Sequence, residues 1–220
     1  MFIGHYGPAF AAKPLARSVP LWVLFIAVQW LDVCWSALVL LDVEKVRIVP
    51  GFTQGSPLDL YFMPYTHGLI GALALSAVFG AIALLSVQER RTAAFAVVAG
   101  AVFSHWLLDL VVHVPDLPLI GDTMKVGFGL WRWLWISLPL EFVTLFAGVA
   151  IYVRAVPSKT RYGDAALWGF AGIMVALECY AAFGPPAASP AAQAQNALLA
   201  YGVLAVLAGA VDGLRGTTRG

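Results

Sequence analysis

The sequence predicts an all-α, polytopic membrane protein. It reads as a single helical domain over residues 1–220, with about six transmembrane helices and an N-terminal re-entrant or interfacial helix ahead of them. Three observations predict this class. Hydrophobic residues make up 61% of the chain and charged residues only 11%, against about 25% charged in soluble domains. The apolar residues fall into successive runs close to the ~20 residues that cross ~30 Å of hydrocarbon. Most of the Pro and charged residues lie between those runs, where they mark turns.

In order, the predicted spans cover about 19–41, 66–87, 92–112, 133–155, 165–183 and 197–214. The first run is longer than the ~7–15 apolar residues of a cleavable signal and has no clear small-residue cleavage site after it, so it reads as a retained span. Basic residues in short loops favour the cytoplasmic side. With the N-terminus inside, Lys13, Arg17, Arg90, Arg91, Arg154, Lys159, Arg161, Arg215 and Arg219 are cytoplasmic, against Lys45, Arg47, Lys125 and Arg132 outside. The expected orientation therefore has both termini cytoplasmic in a lipid bilayer. A net charge of +1, with no basic stripe, excludes a nucleic-acid partner. Cys34 and Cys179 lack metal-type spacing and read as ordinary small residues within spans.

The connections differ in character. Residues 42–65, "DVEKVRIVPGFTQGSPLDLYFMPY", form a loop too long for a mere connector, and loops of that length are often functional. Residues 114–133 are again rich in Pro, Gly and aromatics. The tryptophans of "GLWRWLW" read first as an aromatic belt at the outer interface. The stretch "GPPAASPAAQAQ" is a low-complexity spacer.

Ionisable groups inside the hydrocarbon cost ~2.5–3.5 kcal/mol even on insertion scales, so they need a partner, a cavity or an ion. The third span carries His105 and Asp109 four residues apart. That spacing puts them on one helical face, ~6 Å apart in height, where their side-chain tips can converge on one ion. His113 stands ~12 Å above His105 along the axis, at the outer rim of the same site. There it suits a second metal, the substrate or the aqueous interface. His67 begins the second span, while Asp32 and Glu141 lie in the outer halves of the first and fourth. Four helices thus direct acids or imidazoles to one level of the membrane. Such a cluster needs a cation or shared protons to offset repulsion and desolvation. His and Asp donors suit a divalent metal, zinc first and then manganese or iron. A hydrogen-bonded pair that cements helix packing is the plainer alternative for His105 and Asp109.

His5 conflicts with a simple six-span topology, which puts it opposite the site. A re-entrant segment over residues 2–16 would return it to the cluster, provided the irregular backbone is buried in protein. Asp116 reads as a turn residue close enough to His113 to orient it. Glu178 and Asp212 read as packing or helix-end groups. Ser104 has no Ser-His-Asp arrangement with its neighbours, which point about 100° apart.

At "YTHGL" and "SHWLLD" the chain resembles the bacterial inner-membrane family labelled membrane-bound metal-dependent hydrolases. The matching positions are His5, Asp32, Thr66 with His67, and Ser104 with His105 and Asp109, spanning about the first 120 residues. The resemblance implies an inner-membrane location and a metal held by His5, Asp32, His67, His105 and Asp109. Where that family commonly has a His-Arg pair before its Thr-His-Ser, this chain has "FMPY"; Gly68 replaces the Ser, and Cys34 stands where a second acid is frequent. Loss of the arginine removes the group best shaped to grip a phosphate. The expected function is a membrane-embedded hydrolase of an amphipathic or lipid-like substrate, with Glu141 or His113 moving protons. Transport or ion binding through the same polar cluster is the alternative. A homo-oligomer in which a second copy completes the site is also open.

Overall fold

The computed structural model describes residues 1–88 and 90–215; Arg219, one of the basic residues used for orientation, lies outside them. Helices α1 (Tyr6–Ala12), α2 (Leu21–Val28) and α3 (Trp30–Leu40) are followed by strands β1 (Lys45–Ile48) and β2 (Leu58–Phe62). Helices α4 (Leu69–Ala83), α5 (Arg91–Val112), α6 (Leu134–Ala155), α7 (Gly163–Phe183) and α8 (Pro190–Arg215) complete the chain. The chain is therefore not purely helical. The loop between the first two spans folds into an antiparallel hairpin, with Val46 and Leu60 packed on Trp35, Met63 and Leu117.

Helices α5 to α8 are each long and apolar enough to cross a membrane, consistent with an integral membrane protein. The first predicted span is broken: α2 and α3 meet at Gln29 with a 55° bend. The second is short, because α4 has only 15 residues, about 22 Å at 1.5 Å per residue. Six equivalent spans are thus not what the chain forms. The bent pair and the short α4 lie where the polar cluster sits, and irregular backbone at that depth is sheltered by protein on all sides.

Local chemistry explains several ends. Pro20 stands just before α2, and Pro190 opens α8 at a position where its missing N–H costs nothing. Ser189 caps α8, its Oγ accepting the Ala192 N–H at 3.1 Å. Gly184, Pro185 and Pro186 stop α7.

The N-terminal segment is folded into the protein, which puts His5 at the cluster rather than on a surface helix. Residues Ile3–His5 form a 3-10 turn leading into α1, and Ile3, His5, Tyr6, Ala9 and Phe10 are fully buried. The segment runs from the cluster down to Lys13, whose Nζ meets Asp212 near the far end of α8 at 2.9 Å. It packs on α6 through glycines. A Cβ on Gly148 would lie 2.1 Å from the Gly7 carbonyl oxygen, and one on Gly7 would lie 2.2 Å from that of Thr144. Small residues of this kind let helix backbones approach closely in membranes.

Candidate metal centre

Asp32, His67, His105 and Asp109 converge from α3, the segment before α4, and α5. His67 Nε2 lies 3.3 Å from Asp32 Oδ1 and 3.6 Å from Asp109 Oδ2. His105 Nε2 lies 3.0 Å from Asp109 Oδ2 and 3.6 Å from Asp32 Oδ1. Donors ~2.0–2.1 Å from a tetrahedral ion stand ~3.3–3.4 Å apart, so these separations match the edges of a coordination shell. His105 Nε2 is buried and has no hydrogen-bond partner among the described residues, despite the carboxylate 3.0 Å away.

What stands behind each imidazole fixes which nitrogen is free. His105 Nδ1 is 2.7 Å from the Val28 carbonyl oxygen, an acceptor only, so Nδ1 carries the proton and Nε2 the lone pair. The α2/α3 break supplies that carbonyl by ending α2 at Val28. Behind His67, Thr66 donates its hydroxyl proton to Glu44 Oε2 at 2.6 Å and so accepts from His67 Nδ1 at 2.9 Å. His113 Nδ1 is 2.9 Å from Asp116 Oδ1. His105 and His113 therefore show the carbonyl or carboxylate support that orients metal-ligating imidazoles, and His67 is held by a hydroxyl that a carboxylate holds in turn. Tyr201 donates to Asp32 Oδ2 at 2.7 Å, leaving Oδ1 for the cluster.

His5 joins the site through its N-terminal turn. Its ring stacks on that of His105 with 3.7 Å between centroids and 4° between planes, and its Nε2 is 3.2 Å from Asp109 Oδ1. Both His5 nitrogens are without partners among the described residues. Two donor triads result, Asp32 with His67 and His105, and His5 with His105 and Asp109. The α-amino group of Met1 is 2.7 Å from Asp109 Oδ1.

His113 follows Val112, the last residue of α5, and its φ of −61° keeps its side chain on the helical face, four residues beyond Asp109. Its Nε2 then lies 3.6 Å from Asp109 Oδ1, with the ring over Trp131. Glu141 lines the same cavity, but its carboxylate accepts N–H bonds from Phe2 (3.0 and 3.1 Å) and Gly4 (2.6 Å) and so holds the N-terminal turn. Glu178 lines the cavity too and is 3.5 Å from the Ile3 N–H. Asp212 serves Lys13, the Leu21 N–H and the Tyr152 hydroxyl, away from the cluster. Ser104 Oγ donates to the Ala101 carbonyl rather than to any site group. Sequence reasoning missed Glu44, the Val28 carbonyl and Tyr201. None of these left a trace in the sequence, since Glu44 lies among the charged residues Asp42, Lys45 and Arg47.

A cavity of about 810 Å³ opens from Asp32, His67 and Asp109 towards the hairpin and the α7–α8 connection. Leu58, Leu134, Leu138 and Leu177 give it apolar walls. Trp131 is part of the wall, whereas Trp133 and Trp135 are exposed.

Compared with protein-family models, with curated proteins and with solved structures, the chain gives no match. The local geometry nevertheless accounts for one departure from the motif it resembles. A Cβ on Gly68 would stand 2.3 Å from the Pro64 carbonyl oxygen, so a Ser does not fit this turn.

Proposed function

We propose that the chain is a membrane-embedded, metal-dependent hydrolase of an amphipathic or lipid-linked substrate, like the inner-membrane family its motifs resemble. One observation carries this reading: His67 and His105 direct their Nε2 atoms at the buried Asp109 and the half-buried Asp32, with each Nδ1 tied behind. Asp32, His67, His105 and Asp109 fit a divalent ion, zinc before manganese or iron. When bound, such an ion polarises a scissile carbonyl and lowers the pKa of water towards ~7.

The chain's own residues do the rest. Val28 and Thr66 hold the imidazoles in the donor tautomer, and Tyr201 orients Asp32. Glu141 and His113 face the cavity as the groups that move protons. The leucine walls take an acyl chain. Among the described residues no Lys or Arg lines the cavity, whereas Asp32, Asp109, Glu141 and Glu178 do. That lining favours an uncharged ester or amide over a phosphate, which calls for basic partners. All donors come from one chain, so this centre needs no second copy. The distribution of basic residues supports an inner-membrane orientation with the cavity facing outwards.

The test is metal analysis of the detergent-purified chain, together with hydrolysis of a neutral long-chain ester and an acyl amide. Stoichiometric metal and turnover, both lost in His105→Ala and Asp109→Ala with helix content unchanged, are expected. A metal-free, well-folded wild type overturns the reading.

The broken α2/α3 span gives some support to a second reading, ion transit, because transporters often bind ions at discontinuous helices. Below the cluster, however, Tyr6, Phe10, Phe25, Tyr152 and Phe170 pack ring against ring and fill the way through. Divalent-cation flux in proteoliposomes, abolished by Asp32→Asn, would favour transit.

A further inference from the structure

We infer that Asp109 bridges two metal positions, so that the centre is dinuclear, with His5 and His113 serving the second ion. The inference rests on the metal-centre reading above and adds a site to it.

The two oxygens of Asp109 face different sets of donors. Oδ2 meets His105 Nε2 at 3.0 Å and His67 Nε2 at 3.6 Å, which with Asp32 Oδ1 define the first position. Oδ1 meets His5 Nε2 at 3.2 Å and His113 Nε2 at 3.6 Å. In each set the imidazole-to-carboxylate distances lie near the ~3.3–3.4 Å edge of a tetrahedral shell. A carboxylate whose oxygens each face a pair of imidazoles is arranged to bridge.

Stacking of His5 on His105 argues against one shared ion. The rings are parallel within 4° and 3.7 Å apart. An imidazole lone pair lies in the ring plane. An ion midway between the rings would sit ~1.9 Å off each plane, nearly a whole ~2.1 Å metal–nitrogen bond, and neither lone pair could point at it. Parallel donors 3.7 Å apart instead aim at two points separated by a similar distance. Two-metal sites have spacings of ~3.5–4 Å. His105, moreover, has one free nitrogen, since Nδ1 is spent on Val28. It cannot serve both triads.

The second position has its own support. Asp116 holds His113 Nδ1 at 2.9 Å, repeating the carboxylate–histidine arrangement that orients metal ligands. His5 is fully buried with both nitrogens unpartnered among the described residues, a cost that ligation would remove. The Met1 ammonium, 2.7 Å from Asp109 Oδ1, is the cation nearest this oxygen, and the second ion would take its place. With His113 a ligand, Glu141 remains to move protons. The second ion would bind a carbonyl oxygen of an ester or amide on the cavity side, where His113 lines the wall.

The test loads the full chain in detergent with Mn2+ and reads both metal per chain and the electron paramagnetic resonance signal. About two ions per chain with a spin-coupled signal are expected in the wild type. His113→Ala and, more mildly, Asp116→Asn should each give about one uncoupled ion while keeping the first site. Two uncoupled ions in the wild type overturn the bridge. One ion per chain, unchanged in His113→Ala, shows that the Met1 amine rather than a metal satisfies Oδ1; it overturns this inference and leaves the mononuclear centre standing. No bound metal at all overturns both.

Discussion

Thr66→Val isolates the support behind His67 with little change of shape. Valine fills the same volume but has no hydroxyl, so the chain Glu44···Thr66···His67 loses its middle group. Glu44 keeps its Tyr65 and Thr66 N–H bonds at 2.8 and 3.0 Å on Oε1, while Oε2 loses the 2.6 Å partner. An unmet buried acceptor costs ~1–3 kcal/mol of stability. The larger signal belongs to the metal. His67 Nδ1 loses the oxygen 2.9 Å away that fixes its tautomer, and loss of such a support typically lowers metal affinity 10–100-fold. That range is ~1.4–2.8 kcal/mol at 1.4 kcal/mol per tenfold. Competition with a chromogenic zinc chelator, in detergent at fixed pH, measures it directly. Thr66→Ser, which restores the hydroxyl, should regain most of the affinity. If Thr66→Val binds zinc as tightly as the wild type while circular dichroism shows a native helix content, the tautomer argument is refuted, and with it the assignment of His67 as a ligand.

Two further outcomes follow from the N-terminal segment. Gly148→Ala puts a methyl group 2.1 Å from the Gly7 carbonyl oxygen; it should destabilise by about 1–3 kcal/mol through overpacking and open residues 1–12 to limited proteolysis, whereas Gly100→Ala, with nothing within 4 Å, should do neither. Lys13→Met leaves Asp212 without the ammonium 2.9 Å away and frees the Val19 carbonyl it holds at 2.8 Å; a loss of about 3 kcal/mol, the lower end for a broken buried pair, should appear as a reduced Tm in detergent, and an unchanged Tm would count against a buried ion pair there.

How much of this was legible depended on whether a feature is local. The four-residue step from His105 to Asp109 survives in α5 because an uninterrupted helix keeps it, and the membrane class follows from composition alone. His113, two turns beyond His105, is one turn beyond Asp109, and the same four-residue step brings its Nε2 to 3.6 Å from that carboxylate. The hairpin was invisible because strands of 4 and 5 residues are too short for alternation to stand out from loop. His5 could be placed only as one of two alternatives, since no sequence period distinguishes a buried re-entrant turn from a surface helix. The supports from Glu44, Val28 and Tyr201 lie far along the chain from the histidine or carboxylate they serve, apart from Glu44 and Thr66, and only the folded backbone brings them near.

The seating of the N-terminal turn on Glu141 and of Gly7 on Gly148 sets an order of events during synthesis. Residues 1–12 leave the ribosome well before the surface that receives them, α6, which starts more than 120 residues later. At ~5–20 residues per second that surface emerges ~6–30 s afterwards. Until then His5 has no place to rest, and Asp109 is inserted without its full set of neighbours. The segment therefore docks long after it is made, and the cluster is complete only once α6 is in place.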